Sequence, residues 1–197
     1  MPDGKKDEKK QEQPGRSLYE WAQALVCSVL AAVMVFAFCA RVVGVSGGSM
    51  RETLQNGDLL LVVNRALCGD FERGDVVIAA KAAFENGEPI VKRVIATGGQ
   101  TVDVDFDNGV VYVDGEALEE PYIREATHLS EGTEFPFTVP EGCVFLMGDN
   151  RNGSRDSRAP ELGAVDERCL IGRAVFLLLP GKAEDLNMRE WDRVGAL

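Results

Sequence analysis

Residues 24–40 form an unbroken apolar run, Ala-Leu-Val-Cys-Ser-Val-Leu-Ala-Ala-Val-Met-Val-Phe-Ala-Phe-Cys-Ala, with no charge, proline or glycine in 17 positions. That length lies at the short end of what a membrane-spanning helix needs. Tyr19 and Trp21 can sit at headgroup level on one side. Arg41 can snorkel on the other, letting Val42, Val43 and Val45 extend the apolar reach. Two other readings compete. A cleaved export leader would place Phe38 and Ala40 at −3 and −1, a poor small-x-small site, after a rather long basic segment. A buried core helix is the third. The anchor reading is the one expected, over residues 19–45.

Charge fixes the expected orientation. Lys5, Lys6, Lys9, Lys10 and Arg16 precede the run, and the positive-inside rule counts Lys and Arg with little weight for interspersed acids. Residues 1–18 are therefore expected in the cytoplasm, as a polar and disordered tail, and the chain after about Val45 outside. The net charge of −11 is uneven. Residues 1–44 carry six Lys/Arg against five Asp/Glu, so the remainder holds 15 of the 21 basic and 27 of the 32 acidic residues, a balance of −12. Such a surface repels nucleic acid, whose binding relies on Lys and Arg neutralising phosphates. It gives no general attraction to anionic lipid, so attachment to a bilayer must come from the apolar run.

Titratable residues narrow the chemistry further. The chain has one histidine, His128, in a polar stretch expected to be a loop. A Ser-His-Asp triad would have to run through it, and an ordinary exposed histidine is the simpler expectation. Cys27, Cys39, Cys68, Cys143 and Cys169 form no CxxC pair. Cys27 and Cys39 belong to the apolar run. Cys68, Cys143 and Cys169 could supply one disulfide or remain free thiols. No metal or cofactor is expected.

Beyond the anchor the pattern becomes short and β-branched. Residues 58–64, 75–79 and 89–95 are apolar runs bounded by polar or glycine-containing stretches, and 101–106 alternates with period two. Asp107-Asn108-Gly109 turns the chain into 110–113, and Asp114-Gly115 turns it again. Residues 135–139, 143–147 and 174–179 continue the series. The fold class expected is mainly β: one N-terminal transmembrane helix followed by an antiparallel, barrel-like or folded-sheet domain over 46–180. Residues 181–197 are charged, with Trp191 as the main apolar side chain, and are expected as a loose tail or short surface helix.

Three segments carry the candidate chemistry. Gly47-Gly48-Ser49-Met50 puts a serine after two glycines, which allow positive φ and close approach of another backbone. Gly-Gly-Ser is equally an ordinary linker. Pro89-Ile90-Val91-Lys92-Arg93-Val94-Ile95 puts a lysine inside a strand. Alternation points Lys92 with Ile90 and Val94, and Arg93 with Val91 and Ile95. A lysine so directed either snorkels to an edge or is held neutral, and a neutral amine can serve as the base that a serine hydroxyl requires. The third segment, Gly148-Asp149-Asn150-Arg151-Asn152-Gly153-Ser154-Arg155-Asp156-Ser157-Arg158, follows a strand.

In this order, behind one apolar anchor, these segments resemble the boxes of type I signal peptidases, from about Tyr19 to Pro180. The densest and most specific is the third, and the stretch Glu119-Glu120-Pro121-Tyr122-Ile123 also looks like a family feature. The resemblance implies a serine-type endopeptidase that removes N-terminal signal peptides through an acyl-enzyme. It implies Ser49 as nucleophile and Lys92 as general base. Ser154 matches a serine that hydrogen-bonds the lysine and orients it. Arg93 with Asp149, and Asp156 with Arg158, match charged pairs that brace the site. Met50 would line the pocket beside the serine or simply pack in the core. The nucleophile's own N–H would serve the oxyanion hole. Some members add a serine hydroxyl at the position of Gly47, which here has none, as in Gram-positive-like members. The implied partners are secretory preproteins with small residues at −1 and −3, and the lipid bilayer.

This chain departs from the family pattern at two turns. Glu52 stands where proline is frequent, and Ala96-Thr97-Gly98-Gly99-Gln100 replaces a Gly-Leu-Pro-Gly-Asp run. Three alternatives remain open from the residues. One is a soluble SOS-repressor-type self-cleaving protein, which the anchor and the acidic surface disfavour. Another is an anchored β-domain that only binds extracytoplasmic partners. The third is a peptidase dedicated to pilins or other surface proteins.

Overall fold

The computed structural model describes residues 14–182 and 189–197. The expectation of a disordered tail therefore lies outside the described residues as far as residue 13, and chain from Pro14 onward is helical. Contacts divide the chain into two units at Cys39/Ala40. The first unit contains helix α1, Pro14–Phe38. Within it Leu18–Phe38 is, by length and composition, long and apolar enough to cross a membrane. Its large apolar side chains, from Leu18 to Phe38, are exposed.

The apolar reach does not continue as helix through Val42, Val43 and Val45. The helix stops at Phe38, and Ala40–Gly44 forms strand β1. The reason is local and tertiary together. Adjacent β-branched valines suit a pleated ladder better than a helix, and β1 finds an antiparallel partner running from Ala40 opposite Val63 to Gly44 opposite Leu59.

Among the described residues, the second unit is built from that strand and eleven more. They are β2 Leu59–Asn64, β3 Val76–Ala79, β4 Ile90–Thr97, β5 Thr101–Asp105, β6 Val110–Val113, β7 Glu116–Ala117, β8 Phe137–Thr138, β9 Cys143–Met147, β10 Val165–Asp166, β11 Leu170–Leu179 and β12 Gly195–Ala196. The larger sheet runs β1-β2-β11-β3-β4-β9-β10, with β12 also on β11. The smaller runs β7-β6-β5-β8. Every pairing is antiparallel, so the mainly β, folded-sheet expectation matches what is seen.

Three apolar clusters fill the domain. One gathers Phe71, Val77, Phe84, Val94, Leu146, Leu162 and Leu170, with Ile90 against it. A second contains Val45, Met50, Leu54, Leu60, Val62, Ile78 and Leu177, with Val91 against it. The third lies between the sheets, around Ile95, Val102, Val111, Phe145 and Met147. Ile90 and Val94 thus share one cluster while Val91 and Ile95 belong to the others, as the period-two alternation of β4 requires.

The segment expected as a loose tail or short surface helix has one 3-10 turn at Trp191–Arg193 and is tied into the sheet. Gly195 and Ala196 pair with Leu177 and Phe176 of β11. Because β2 occupies one edge of β11 from Gly172 to Leu179, β12 takes the edge that β3 leaves beyond Arg173. Arg193 also pairs with the fully buried Asp58 at 2.6 Å. Residues 183–188 lie outside the described part. All five cysteines are free thiols, and His128 is an exposed loop residue whose Nδ1 faces the Phe106 carbonyl at 2.9 Å.

Candidate active site

Ser49 sits in the loop between β1 and β2, on a turn closed by Arg51 N–H donating to the Gly48 carbonyl at 3.3 Å, and the next turn is closed by Leu54 N–H donating to the Met50 carbonyl at 2.8 Å. The neighbours fix it. Met50 and Leu54 are buried in the second apolar cluster, each burial contributing about 1.5–3 kcal/mol. Ser49 itself stays half-buried. Of the two readings for Met50, core packing is what the structure displays. Asn150 N–H donates to the Ser49 carbonyl at 3.0 Å, and the Asn150 side chain donates to the Gly48 carbonyl at 3.0 Å. The third segment thereby grips the backbone on either side of the serine.

Lys92 lies in the middle of β4, opposite Val77 of β3, and only 4% of it is exposed. Its Nζ donates to Ser49 Oγ at 2.7 Å. Burial pushes its amine below the ordinary value of 10.5, because the charged form loses water. The carboxylates of Asp156, Glu131 and Glu85 oppose that effect, and Arg158 adds to it. The strand could have let this side chain snorkel, but it ends on a hydroxyl instead.

The third segment reaches the pair through sheet register. Arg93 of β4 stands opposite Met147 of β9, so the chain leaves β9 at Gly148 beside Lys92. A methyl on Gly148 would lie 2.2 Å from Ser154 Oγ and 2.5 Å from the Ser49 carbonyl oxygen. Glycine is needed there for close approach. Ser154 is thus packed against the serine loop, and its Oγ donates to Asp156 Oδ2 at 2.9 Å. The bond the resemblance implied, between Ser154 and the lysine, is not formed, since Asp156 offers a charged acceptor.

Asp156 is a hub. Its Oδ2 also accepts from Gly148 N–H at 2.9 Å, and Arg158 binds both of its carboxylate oxygens at 2.8 Å. Arg93 binds Asp149 through Nε at 2.9 Å and Nη2 at 2.7 Å. Both expected charged pairs therefore form, and both are buried. Breaking either would cost about 3–5 kcal/mol by leaving an unpaired charge.

Gly47 adopts φ +90°, and its N–H donates to Asn56 Oδ1 at 3.1 Å. It is exposed, and a Cβ built on it would meet nothing within 4 Å. The space for a side-chain donor exists, and the donor does not.

Several contributors carry no periodic or motif signal of their own. Thr53 Oγ1 donates to Asp149, and Tyr122 places its ring 4.1 Å from the Arg93 guanidinium. Glu120 pairs with the fully buried Arg151 at 2.6 Å. Only the Glu119-Glu120-Pro121-Tyr122-Ile123 stretch, similar to a family feature, hinted at the last two.

Residues 18–179 match the family model described as signal peptidase, peptidase S26. The chain belongs to that family. It is a serine-type endopeptidase, a hydrolase, and the non-catalytic binding-module alternative falls away. Signal peptidase I of Bacillus licheniformis is 36% identical over 181 residues, covering 88% of this chain and 95% of that protein. Signal peptidase I T of Bacillus subtilis strain 168 is 37% identical over 174 residues, covering 82% and 85%. A solved signal peptidase I from Enterococcus faecalis aligns at 29% identity with a TM-score of 0.44, over 54% of this chain and 97% of that one.

Proposed function

We propose that this S26-family chain removes signal peptides from secretory preproteins with Ser49 as nucleophile and Lys92 as general base. The observation that carries the reading is the 2.7 Å hydrogen bond from a buried lysine amine to a half-buried serine hydroxyl. A serine hydroxyl needs a base within that reach, and a lysine serves as one only when its amine is deprotonated. Desolvation favours the neutral amine, which supports the assignment.

Lys92 takes the Ser49 proton as Oγ attacks the carbonyl carbon of the −1 residue. The ammonium then protonates the leaving amine, giving an acyl-enzyme. Neutral again, Lys92 activates water for deacylation. The Ser49 N–H is the oxyanion donor, and with glycine at position 47 any second donor is backbone or water. Ser154 acts on this pair through packing and through Asp156 rather than through a bond to the amine. Shallow pockets take small residues at −1 and −3. The substrate pairs its extended backbone with a strand edge.

Helix α1 anchors the protein in the bilayer, with its N-terminus cytoplasmic and the β-domain outside. That reading rests on the 21-residue apolar span and on the preceding Lys and Arg residues. Sharing a membrane with the substrate raises effective concentration.

The test is cleavage of an Ala-x-Ala preprotein by detergent-solubilised wild type, Ser49→Ala and Lys92→Ala. Wild-type cleavage with a loss of at least about 10³-fold in both variants is expected. Unchanged cleavage by either variant discards the dyad. Equal cleavage after Ala and Phe at −1 rejects the small pocket.

A further inference from the structure

Residues 126–133, in the connection from β7 to β8, clasp the third segment along most of its length. Asn152 Oδ1 accepts from the His128 and Leu129 N–H groups at 2.9 and 3.0 Å. Asn152 Nδ2 donates back to the Ala126 carbonyl at 3.0 Å. Thr133 N–H donates to the Arg158 carbonyl at 2.9 Å, and Arg158 Nη1 to the Leu129 carbonyl at 2.9 Å. Between these contacts Glu131 turns inward. One of its carboxylate oxygens accepts from Asp156 N–H at 3.1 Å, and the other lies 3.7 Å from Arg158 Nη2. Its side chain is only 10% exposed.

The charges in this cluster do not cancel at the Asp156–Arg158 pair alone. Arg158 is already neutralised by the bidentate Asp156, so the Glu131 carboxylate is in excess. It accepts from the backbone N–H of Asp156, whose carboxylate in turn accepts from Gly148 N–H beside Lys92. Gly148 in turn is packed between Ser154 and the Ser49 backbone. We propose that Glu131 is a positioning residue of this site, supplying a surplus negative charge near the Lys92 amine that governs the pH range over which the amine acts as a base. The proposal rests on the dyad reading above.

Lys92 is faced by Asp156, Glu131 and Glu85, which stabilise its ammonium, and by Arg158, which opposes it. Glu131 is faced by Asp156, which with burial pushes its carboxyl up, and by Arg158 and Arg155, which pull it down. Asp156 also has five hydrogen-bond donors to satisfy and cannot be neutralised without breaking the site. Glu131 can, because a glutamine oxygen can still accept from Asp156 N–H. Removing its charge leaves the ammonium less favoured, so the neutral base is populated at lower pH.

The experiment is the pH profile of kcat/KM for Ala-x-Ala preprotein cleavage by full-length wild type, Glu131→Gln and Glu131→Asp. The acid limb of Glu131→Gln is expected to move to lower pH by on the order of half a unit. Glu131→Asp keeps the charge and is expected to hold the limb where wild type has it. Limbs that coincide in all three proteins overturn the proposal, even if the Glu131→Gln plateau falls, since that fall would report packing alone. An upward shift in Glu131→Gln overturns it too. A limb displaced equally in both variants assigns the effect to geometry and also overturns it. Failure of the dyad reading is distinguishable, because it appears as retained cleavage in Ser49→Ala or Lys92→Ala run alongside. Should Glu131→Gln fail to fold, Arg155→Gln offers an independent arm: removing this exposed cation leaves Glu131 less screened, and an upward shift of the limb is expected, with no shift counting against the proposal.

Discussion

In the proposed dyad, a single methylene chain and its amine set the chemistry of the site. Lys92 could have reached solvent, as strand lysines usually do, and its burial costs stability wherever the amine would otherwise be charged. The sign follows from linkage. The folded amine titrates below 10.5, so between its lowered value and 10.5 the unfolded chain binds more protons, and wild-type stability rises with pH through that window. Lys92→Met lacks this group. Its melting temperature relative to wild type is therefore expected to be most favourable near neutral pH and to decline as pH approaches 10, while cleavage is lost at every pH. Thermal melts of the two proteins from pH 7 to 10 check this, and a difference that stays constant would contradict a buried, neutral amine. Sequence alone could present Lys92 as a candidate base because its strand neighbours are apolar. It could not present Thr53, whose contact with Asp149 comes from an element far away in sequence.

At the scale of elements, the site is a junction of β4, the end of β9 and the β1–β2 loop. Antiparallel register brings the end of β9 to Lys92, and Gly148 packs there against Ser154 and the Ser49 carbonyl. Gly148→Ala is expected to push Ser154 and the Ser49 backbone apart by several tenths of an ångström or more, since the added carbon would overlap both. A displacement of about 1 Å can cost about 10²-fold in rate. The expected outcome is a kcat reduced on the order of 10²-fold, out of proportion to any change in melting temperature; a kcat near wild type would show that the junction has slack. The β4 alternation was legible as a period-two pattern. The two-residue strands β7, β10 and β12 were not, because ladders that short carry no periodic signal and exist only where a partner edge is exposed.

Across the whole molecule, the C-terminal residues complete the domain rather than trail from it. Arg193 donates to Asp58 through Nη1 and Nη2, at 3.1 and 2.6 Å, and through Nη2 to the Thr53 carbonyl at 3.1 Å. Gly181 N–H adds a 2.6 Å bond to the same Asp58. Asp58 is fully buried at the end of the loop that carries Ser49. Arg193→Ala is expected to destabilise the domain by about 3–5 kcal/mol, the cost of stranding one member of a buried pair. Denaturant unfolding of the two proteins measures it, and a change below about 1 kcal/mol would show the pair to be effectively solvated.

The sequence by itself determined the apolar helix, the succession of β-branched strands, the presence of Ser49, Lys92 and the third segment, and the near-exclusion of histidine and thiol chemistry. Those are local properties, written in hydrophobic period, turn residues and residue supply. Only the tertiary structure decided that Val42 and Val43 belong to a strand, because β2 offers them a ladder. It also decided that Ser154 bonds Asp156, because that carboxylate is the charged acceptor within reach. The attachment of residues 189–197 to β11 and Asp58, and the placing of Ser49 at 2.7 Å from Lys92, are decisions of the same kind. Each depends on which distant segments meet, and a pattern along one chain does not contain that distance.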